Sequence, residues 1–177
     1  MEVRKVRYFS KAYRDIGKLY RQAFPFNERM PVWLLRATAY EETTELLAFY
    51  DDGKFLGLAH LTQEEDTVFV IFLAVNPELR GQGNGSRILD FLKDTYAGQE
   101  LYLCIEPLDE SAKNYDQRVS RLRFYERNGF HLSGYRVFDP SGQYELLSTA
   151  KVIDVTGMEL ILKKGSFGPF HCTMEKK

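Results

Sequence analysis

The chain has little of what staples, ligates or redox-cycles: its 177 residues include two cysteines, three histidines and one tryptophan. Cys104 and Cys172 form no CxxC pair and are too few for a disulfide framework. With His60, His131 and His171 scattered, they give no zinc-ligand spacing, so no metal is expected. No apolar run approaches the roughly 18 residues of a membrane span. The opening MEVRKVRYFSKAYRD lacks the apolar centre of a secretory signal. These absences predict a reduced, soluble, cytoplasmic protein with no membrane partner. Charge of one sign is also missing: 24 Lys and Arg against 25 Asp and Glu leave a net −1. No global field therefore recommends a nucleic-acid partner. Repeats, low-complexity tracts and linkers are absent too, and the length suits one domain, 1–177.

What is present is periodicity. Residues 3–9 alternate apolar and basic and read as a strand. Ser10 can cap a helix over 11–24, whose Ala12, Ile16, Leu19 and Ala23 share one face. Phe24-Pro25-Phe26-Asn27 breaks that pattern, and Pro31 can open a second helix over 32–40. A hairpin follows, with strands 45–50 and 55–62 around the turn Asp51-Asp52-Gly53-Lys54. After the connection 63–66, TVFVIFLAV (67–75) is nearly all apolar and predicts a central strand buried on both faces. Ile88, Leu89, Leu92 and Tyr96 then stand at helical spacing, and Gly98 stops that helix. A strand over 101–106, a loop over 109–115 and a helix over 117–128 ending at Gly129 come next. Strands are predicted near 130–138, 144–149 and 158–163. The order predicts one mixed sheet with helices between strands, an α/β (α+β) layer architecture.

Between the central strand and its helix lies Arg80-Gly81-Gln82-Gly83-Asn84-Gly85-Ser86. Three alternate glycines forfeit backbone entropy, so the loop should be built to hold something. A glycine turn running into a helix start is an anion site: free N–H groups point outward and the macrodipole adds partial positive charge. A tight turn with no ligand is the plain alternative. A Walker loop is excluded, because Ser86-Arg87 stands where Lys and Ser or Thr are needed. A dinucleotide fingerprint is a nearer miss, since Gly81-x-Gly83-x-x-Ser86 is GxGxx and a small residue. Five residues, 76–80, separate strand from glycines, however, and a hairpin rather than a βαβ unit precedes the strand. A nicotinamide-dependent oxidoreductase therefore ranks well below the reading that follows.

VNPELRGQGNGSRIL resembles the acetyl-CoA loop of the GNAT superfamily of N-acetyltransferases, with Arg80, Gly83 and Gly85 satisfying the pattern. Arg123-Phe124-Tyr125-Glu126-Arg127-Asn128-Gly129-Phe130 is similar to the family's second run, a helix tyrosine followed by Gly-Phe. The order of elements from Val3 to Leu162 also matches. The resemblance implies a mixed, mostly antiparallel sheet of about six to eight strands with about four flanking helices, splayed at the acetyl-CoA site.

It also implies roles. The loop, Arg80, Gly81, Gln82, Gly83, Asn84, Gly85 and Ser86, would bind the pyrophosphate of coenzyme A. The main chain of Leu73, Ala74 and Val75 would pair with the pantetheine arm, and an N–H near Val75 would serve the oxyanion. An acceptor amine must lose a proton before attack. The candidate bases are Glu106, at the end of its strand, and Glu64, Glu65 or Asp66. Glu106 can equally be an ion-pair partner of Arg118 or Arg121. Tyr125 would protonate the departing thiolate, downhill from a phenol near ~10 to a thiol near ~8.5; the other reading is a buried core aromatic. Many relatives carry Asn seven residues before that tyrosine, where this chain has Arg118.

The segment holding Phe26, Glu28, Arg29 and Trp33 lies where relatives wall the amine site, and would suit a small-molecule or peptide amine. Cys104, in an apolar strand with no paired His, reads as a buried small side chain. The arginines at 118, 121, 123 and 127 read first as a solvated helix face. Two readings of the whole stay open: an acetyl-CoA-dependent N-acetyltransferase, or a non-catalytic acyl-CoA sensor on the same scaffold. A sheet-edge homodimer is compatible with both.

Overall fold

The computed structural model describes residues 1–6, 10–164 and 172–177. The last part of the first predicted strand (7–9) and His171 lie outside the described residues.

Among the described residues eight strands form one sheet: β1 (Glu2–Lys5), β2 (Thr44–Asp51), β3 (Lys54–Glu64), β4 (Thr67–Val75), β5 (Glu100–Ile105), β6 (His131–Asp139), β7 (Gly142–Ser148) and β8 (Thr173–Lys176). Their spatial order is β1-β2-β3-β4-β5-β7-β6-β8. Every pairing is antiparallel except β4 with β5, whose connection carries a helix. Among the described residues five α-helices accompany the sheet: α1 (Lys11–Ala23), α2 (Val32–Thr38), α3 (Asn84–Thr95), α4 (Tyr115–Arg127) and α5 (Val155–Lys164). The mixed, mostly antiparallel architecture is the one expected.

Local chemistry explains the helix starts. Ser10 caps α1 by accepting from the Tyr13 amide at 3.3 Å, and Ala12, Ile16, Leu19 and Tyr20 are buried along one face. On that side α1 and α2 share a core with Leu46, Leu58 and Phe72 of the sheet. The opposite face packs α3 and α4 against β2, β3, β4 and β5, with Ile88, Leu89, Leu92 and Tyr125 at its centre. A third cluster joins α5 to β5 and β7 through Met158, Ile161, Tyr102 and Leu146.

One expectation needs correcting. The stretch 158–163 is not a strand but most of α5. MELIL is too short and too uniformly apolar to show its period, and helical spacing wins because it buries Met158, Ile161 and Leu162 together. The final strand is instead β8, edging β6.

The decisive irregularity lies in β4. Its register with β3 steps from His60↔Phe72 to Leu61↔Val70, so Ile71 is an extra residue. This bulge reverses the alternation of side chains. Phe69 and Ile71 face one side, and Phe72 and Ala74 now share that side with Ile71, while Leu73 and Val75 turn to the α3–α4 face. The pairing of β4 with β5 runs only from Thr67↔Glu100 to Val70↔Leu103. Beyond that point β4 stays with β3 while β5 follows β7, through Cys104↔Leu146 and Ile105↔Glu145. The sheet opens into a wedge.

One buried polar group predicts a pH response. His60 on β3 is fully buried; its Nε2 lies 3.1 Å from the Thr38 hydroxyl, which donates to the Leu35 carbonyl at 3.1 Å. Thr38 has spent its proton, so Nε2–H is the donor and Nδ1 is a bare acceptor, without a partner among the described residues. Burial pulls the pKa down to about 3. An unfolded chain takes up a proton near 6.5 that the folded chain refuses, so stability is lost as pH falls from 6.5 toward 3. The slope from this residue is at most about 1.4 kcal/mol per pH unit. Urea midpoints between pH 7 and 4 should fall steeply in the wild type and less so in His60→Gln; equal slopes would assign the acid sensitivity elsewhere.

Candidate active site

The wedge is a cavity of about 1200 Å³. One wall is the free edge of β4. Asn76 N donates to Leu56 O at 2.7 Å, and Ala74 O sits where a Cβ on Gly57 would be, so both point toward β3. Backbone direction alternates along a strand, and the N–H and C=O groups of Leu73 and Val75 therefore face the opening. The Val75 carbonyl accepts from Arg80 Nε at 3.3 Å, which draws that guanidinium back against the strand end.

At the head of the wedge the chain makes a 3-10 turn, Pro77–Leu79, and then the glycine loop. Gly81 and Gly83 have φ of 74° and 78°, a left-handed backbone that other residues adopt only under strain. Nothing lies within 4 Å of where their side chains would project. Backbone angle, not crowding, requires glycine there. Gly83 is the N-cap of α3 and offers no side chain, and the first intrahelical bond is Arg87 N to Gly83 O at 3.1 Å. The amides of Asn84, Gly85 and Ser86 are thus left without helical acceptors at the positive end of the helix. The Asn84 side chain turns inward, donating to Leu79 O at 2.9 Å, so this residue offers only its amide. Gly85 has a different reason: a Cβ there would meet the Phe124 ring at 2.9 Å, and α4 can approach only because it is absent.

Tyr125 comes from α4 and is packed edge-on to Phe124 and Phe130, with ring centroids 5.2 and 5.8 Å away. It lines the wedge, and among the described residues its hydroxyl has no hydrogen-bond partner. Burial pushes its pKa up to about 12, against a smaller opposing effect of Arg121. It is both a core aromatic and a protonated phenol beside the opening.

Glu106, one residue past β5, closes the other end. Arg118 and Arg121 both bind it, at 3.0 and 2.7 Å, and Asn114 Nδ2 donates to it at 3.1 Å. Burial would raise its pKa, but Asn114 and the two guanidinium groups hold it below the ordinary carboxylate value. The ion pair offered by the sequence is thus realised with both partners. Arg118, in the place of the relatives' Asn, also donates to Pro107 O at 2.8 Å and to Asn114 Oδ1 at 2.9 Å, tying the end of β5 to α4.

The other sequence candidates divide. Of the acceptor set, Glu28 lines the wedge, on a 3-10 turn Phe26–Glu28. Phe26 and Trp33 are 88% and 64% exposed and lie outside its lining; Arg29 is turned back, donating to Arg21 O at 3.0 Å and lying over the Phe26 ring. Gln82 is the one loop residue outside the wedge lining. Glu64, Glu65 and Asp66 stand at the β3–β4 turn, away from the wedge, with Glu64 paired to Lys164. Cys104 lines the wedge, but burial and then the Asp139 charge push its thiol far up, so it is a poor nucleophile.

The strands expected near 130–138 and 144–149 are β6 and β7, but sequence reasoning missed that the tip of their hairpin lines the wedge. Asp139 Oδ1 accepts from Ser141 N, Ser141 Oγ and Gly142 N at 2.5–3.0 Å, and Ser141 Oγ lies 2.6 Å from the Tyr144 hydroxyl. All but Gly142 line the wedge. The available signal was Asp139-Pro140-Ser141-Gly142, a turn sequence, which marks a hairpin tip but not what it faces. Among the described residues no group of three His, Cys, Asp or Glu is placed to hold a metal, and no helix is long and apolar enough to cross a membrane.

A search of curated proteins found no match. Solved structures share the fold. A GNAT-family chain from Bacteroides thetaiotaomicron, described as an acetyltransferase, superposes with a TM-score of 0.72 at 21% identity, over 93% of this chain and 95% of that one. The ribosomal-protein-S18-alanine N-acetyltransferase of Escherichia coli gives 0.62 at 16% identity, over 88% and 96%. An aminoglycoside 6'-N-acetyltransferase complexed with coenzyme A gives 0.63 at 15% identity, over 84% and 96%. The family model of the acetyltransferase (GNAT) domain matches residues 42–132, from the start of the β2–β3 hairpin through the glycine loop to Gly129-Phe130. On that match, the chain belongs to the GNAT family of acetyltransferases.

Proposed function

We propose that this protein is an acetyl-CoA-dependent N-acetyltransferase that passes the acetyl group directly to a primary amine. The observation that carries the reading is the continuity of the wedge. The unpaired backbone of Leu73 and the free Val75 amide line the same cavity as the unpaired amides of Asn84, Gly85 and Ser86, with Arg80 bound to the Val75 carbonyl between them. An extended amide-bearing arm ending in a pyrophosphate matches that sequence of donors and acceptors. The structural neighbours support the ligand and the acceptor class: one is complexed with coenzyme A, and the named acceptors of two are amines.

In this reading the amine attacks the thioester carbonyl where β4 and β5 part. The Val75 amide, or one beside it, donates to the oxyanion as it forms. Tyr125 then protonates the departing sulfur. A direct transfer needs no acyl-enzyme, in keeping with the disabled thiol of Cys104.

Titration with acetyl-CoA tests the first half. At a hundredfold excess over Kd, linkage adds about 2.7 kcal/mol, an upward shift in Tm of roughly 5–10 °C for a chain of this size. No shift would remove the cofactor. Free thiol release with amines tests the second half; binding without release would make the protein an acyl-CoA sensor.

A further inference from the structure

The wedge has a second room. A neighbouring cavity of about 600 Å³ shares Glu28, Glu106, Ser141 and Tyr144 with it, so these four residues frame the doorway between the two. The outer cavity is otherwise walled by the segment 107–110, Arg118, Arg136, Gly142 and Gln143. An acceptor entering from the outer side reaches the parting of β4 and β5 only past Glu28 and Glu106.

The carboxylates at this doorway are not equivalent. Glu106 is committed to Arg118, Arg121 and Asn114. Asp139 spends Oδ1 on Ser141 and Gly142. Glu28 has no ion pair or hydrogen bond to its side chain among the described residues, although it is half-buried. It shares the doorway lining with Glu106 and Tyr144, and Asp139 lines the same wedge; Arg121 and Arg118 are bound to Glu106, while the neighbouring Arg29 is turned back to Arg21 O. Three carboxylates thus meet Arg118 and Arg121, both bound to one of the three, while Arg136 of the outer cavity is spent on Glu145. The doorway is one positive charge short.

We propose that Glu28 receives the acceptor as an ammonium ion, takes its first proton, and thereby selects amines whose body carries no carboxylate; this rests on the acetyl-transfer reading above. Burial, followed by the charge of Glu106, raises the Glu28 carboxyl, against the opposing influence of Arg121, and the direction suits a proton acceptor better than the lowered Glu106 does. The step balances as follows. R–NH3+ gives one proton to Glu28, which returns it to solvent after turnover. The freed lone pair forms the C–N bond, the C–S bond breaks, and the second nitrogen proton ends on sulfur by way of Tyr125.

Two probe amines of equal length isolate the claim: 1,4-diaminobutane, with a distal cation, and 4-aminobutanoate, with a distal carboxylate. Thiol release from acetyl-CoA is followed in wild type, Glu28→Gln and Glu106→Gln, alongside the acetyl-CoA thermal shift. The diamine should exceed the amino acid in kcat/KM by roughly tenfold or more. Glu28→Gln should erase that preference, lower kcat/KM for the diamine by roughly tenfold, and remove the acidic limb of its pH profile, with the acetyl-CoA shift intact. Glu106→Gln should keep the preference. Equal rates for the two probes, a preference that survives Glu28→Gln, or acetylation of neither probe while acetyl-CoA still shifts the melt would each overturn the proposal. Loss of the acetyl-CoA shift in the wild type would instead remove the acetyl-transfer reading, and this inference with it.

Discussion

Tyr125→Phe is expected to lower kcat by about two orders of magnitude, the usual contribution of a positioned general acid, with little change in acetyl-CoA affinity. The substitution removes one oxygen and leaves the ring in its contacts with Phe124 and Phe130. That hydroxyl has no partner among the described residues, so no buried group is orphaned and folding stability should hold. The size of the loss follows from the leaving group. A thiolate departs tolerably unaided, with an ordinary thiol pKa near ~8.5, so the acid contributes less than it would to an alkoxide or amide. Because burial pushes the phenol up to about 12, it stays protonated through neutral and mildly basic pH, and kcat should show no basic limb from Tyr125 below pH 10. Steady-state kinetics with acetyl-CoA saturating would check both; unchanged turnover would reduce Tyr125 to a packing residue.

Gly57→Ala should unfold the protein more readily than any single surface change and should weaken cofactor binding as well. A methyl group at this position would lie 2.3 Å from the Ala74 carbonyl oxygen and 3.2 Å from Ile88 Cδ1. The first contact is with backbone, which cannot rotate away, so β3 and β4 must separate where they pair as Gly57↔Val75. Overpacking of this kind costs about 1–3 kcal/mol, or roughly 3–10 °C in Tm. The coupling to function is specific: Ala74 and Asn76 hold the register that turns Leu73 and Val75 outward. Calorimetry with and without acetyl-CoA would separate the effects, since loss of stability alone would leave the ligand-induced increment unchanged.

Much of this was legible from residues alone because several levels agreed. The glycine loop combined turn chemistry, a helix start and a preceding apolar strand, and the structure places all three in one line. Elsewhere the signal was weaker than the structure it encodes. TVFVIFLAV has no polar residue inside it, so a bulge at Ile71 leaves no trace in the alternation, though it directs the wedge. MELIL could not reveal whether it repeats every two residues or every 3.6. Glu106 could be named, but its ion pairs depend on α4 reaching back over Pro107, a contact across eleven positions of chain that only folding supplies. Glu28 could be named from its segment, and it lines the wedge. Its isolation could not, because that depends on Arg29 pointing away and on a hairpin more than 100 residues later.

Sheets normally keep their unpaired edges at the rim, where proteins blunt them against aggregation. This one keeps a second pair of edges at its centre, along 71–75 and past Leu103. Those edges are sheltered by 24–30 on one side and by α4 on the other, so they do not invite another sheet. What fits between them is a single extended chain entering end-on. A bound arm of that kind would act as a temporary ninth strand, knitting the β1–β4 half to the β5–β8 half. Release of the spent cofactor would then reopen a seam through the middle of the fold.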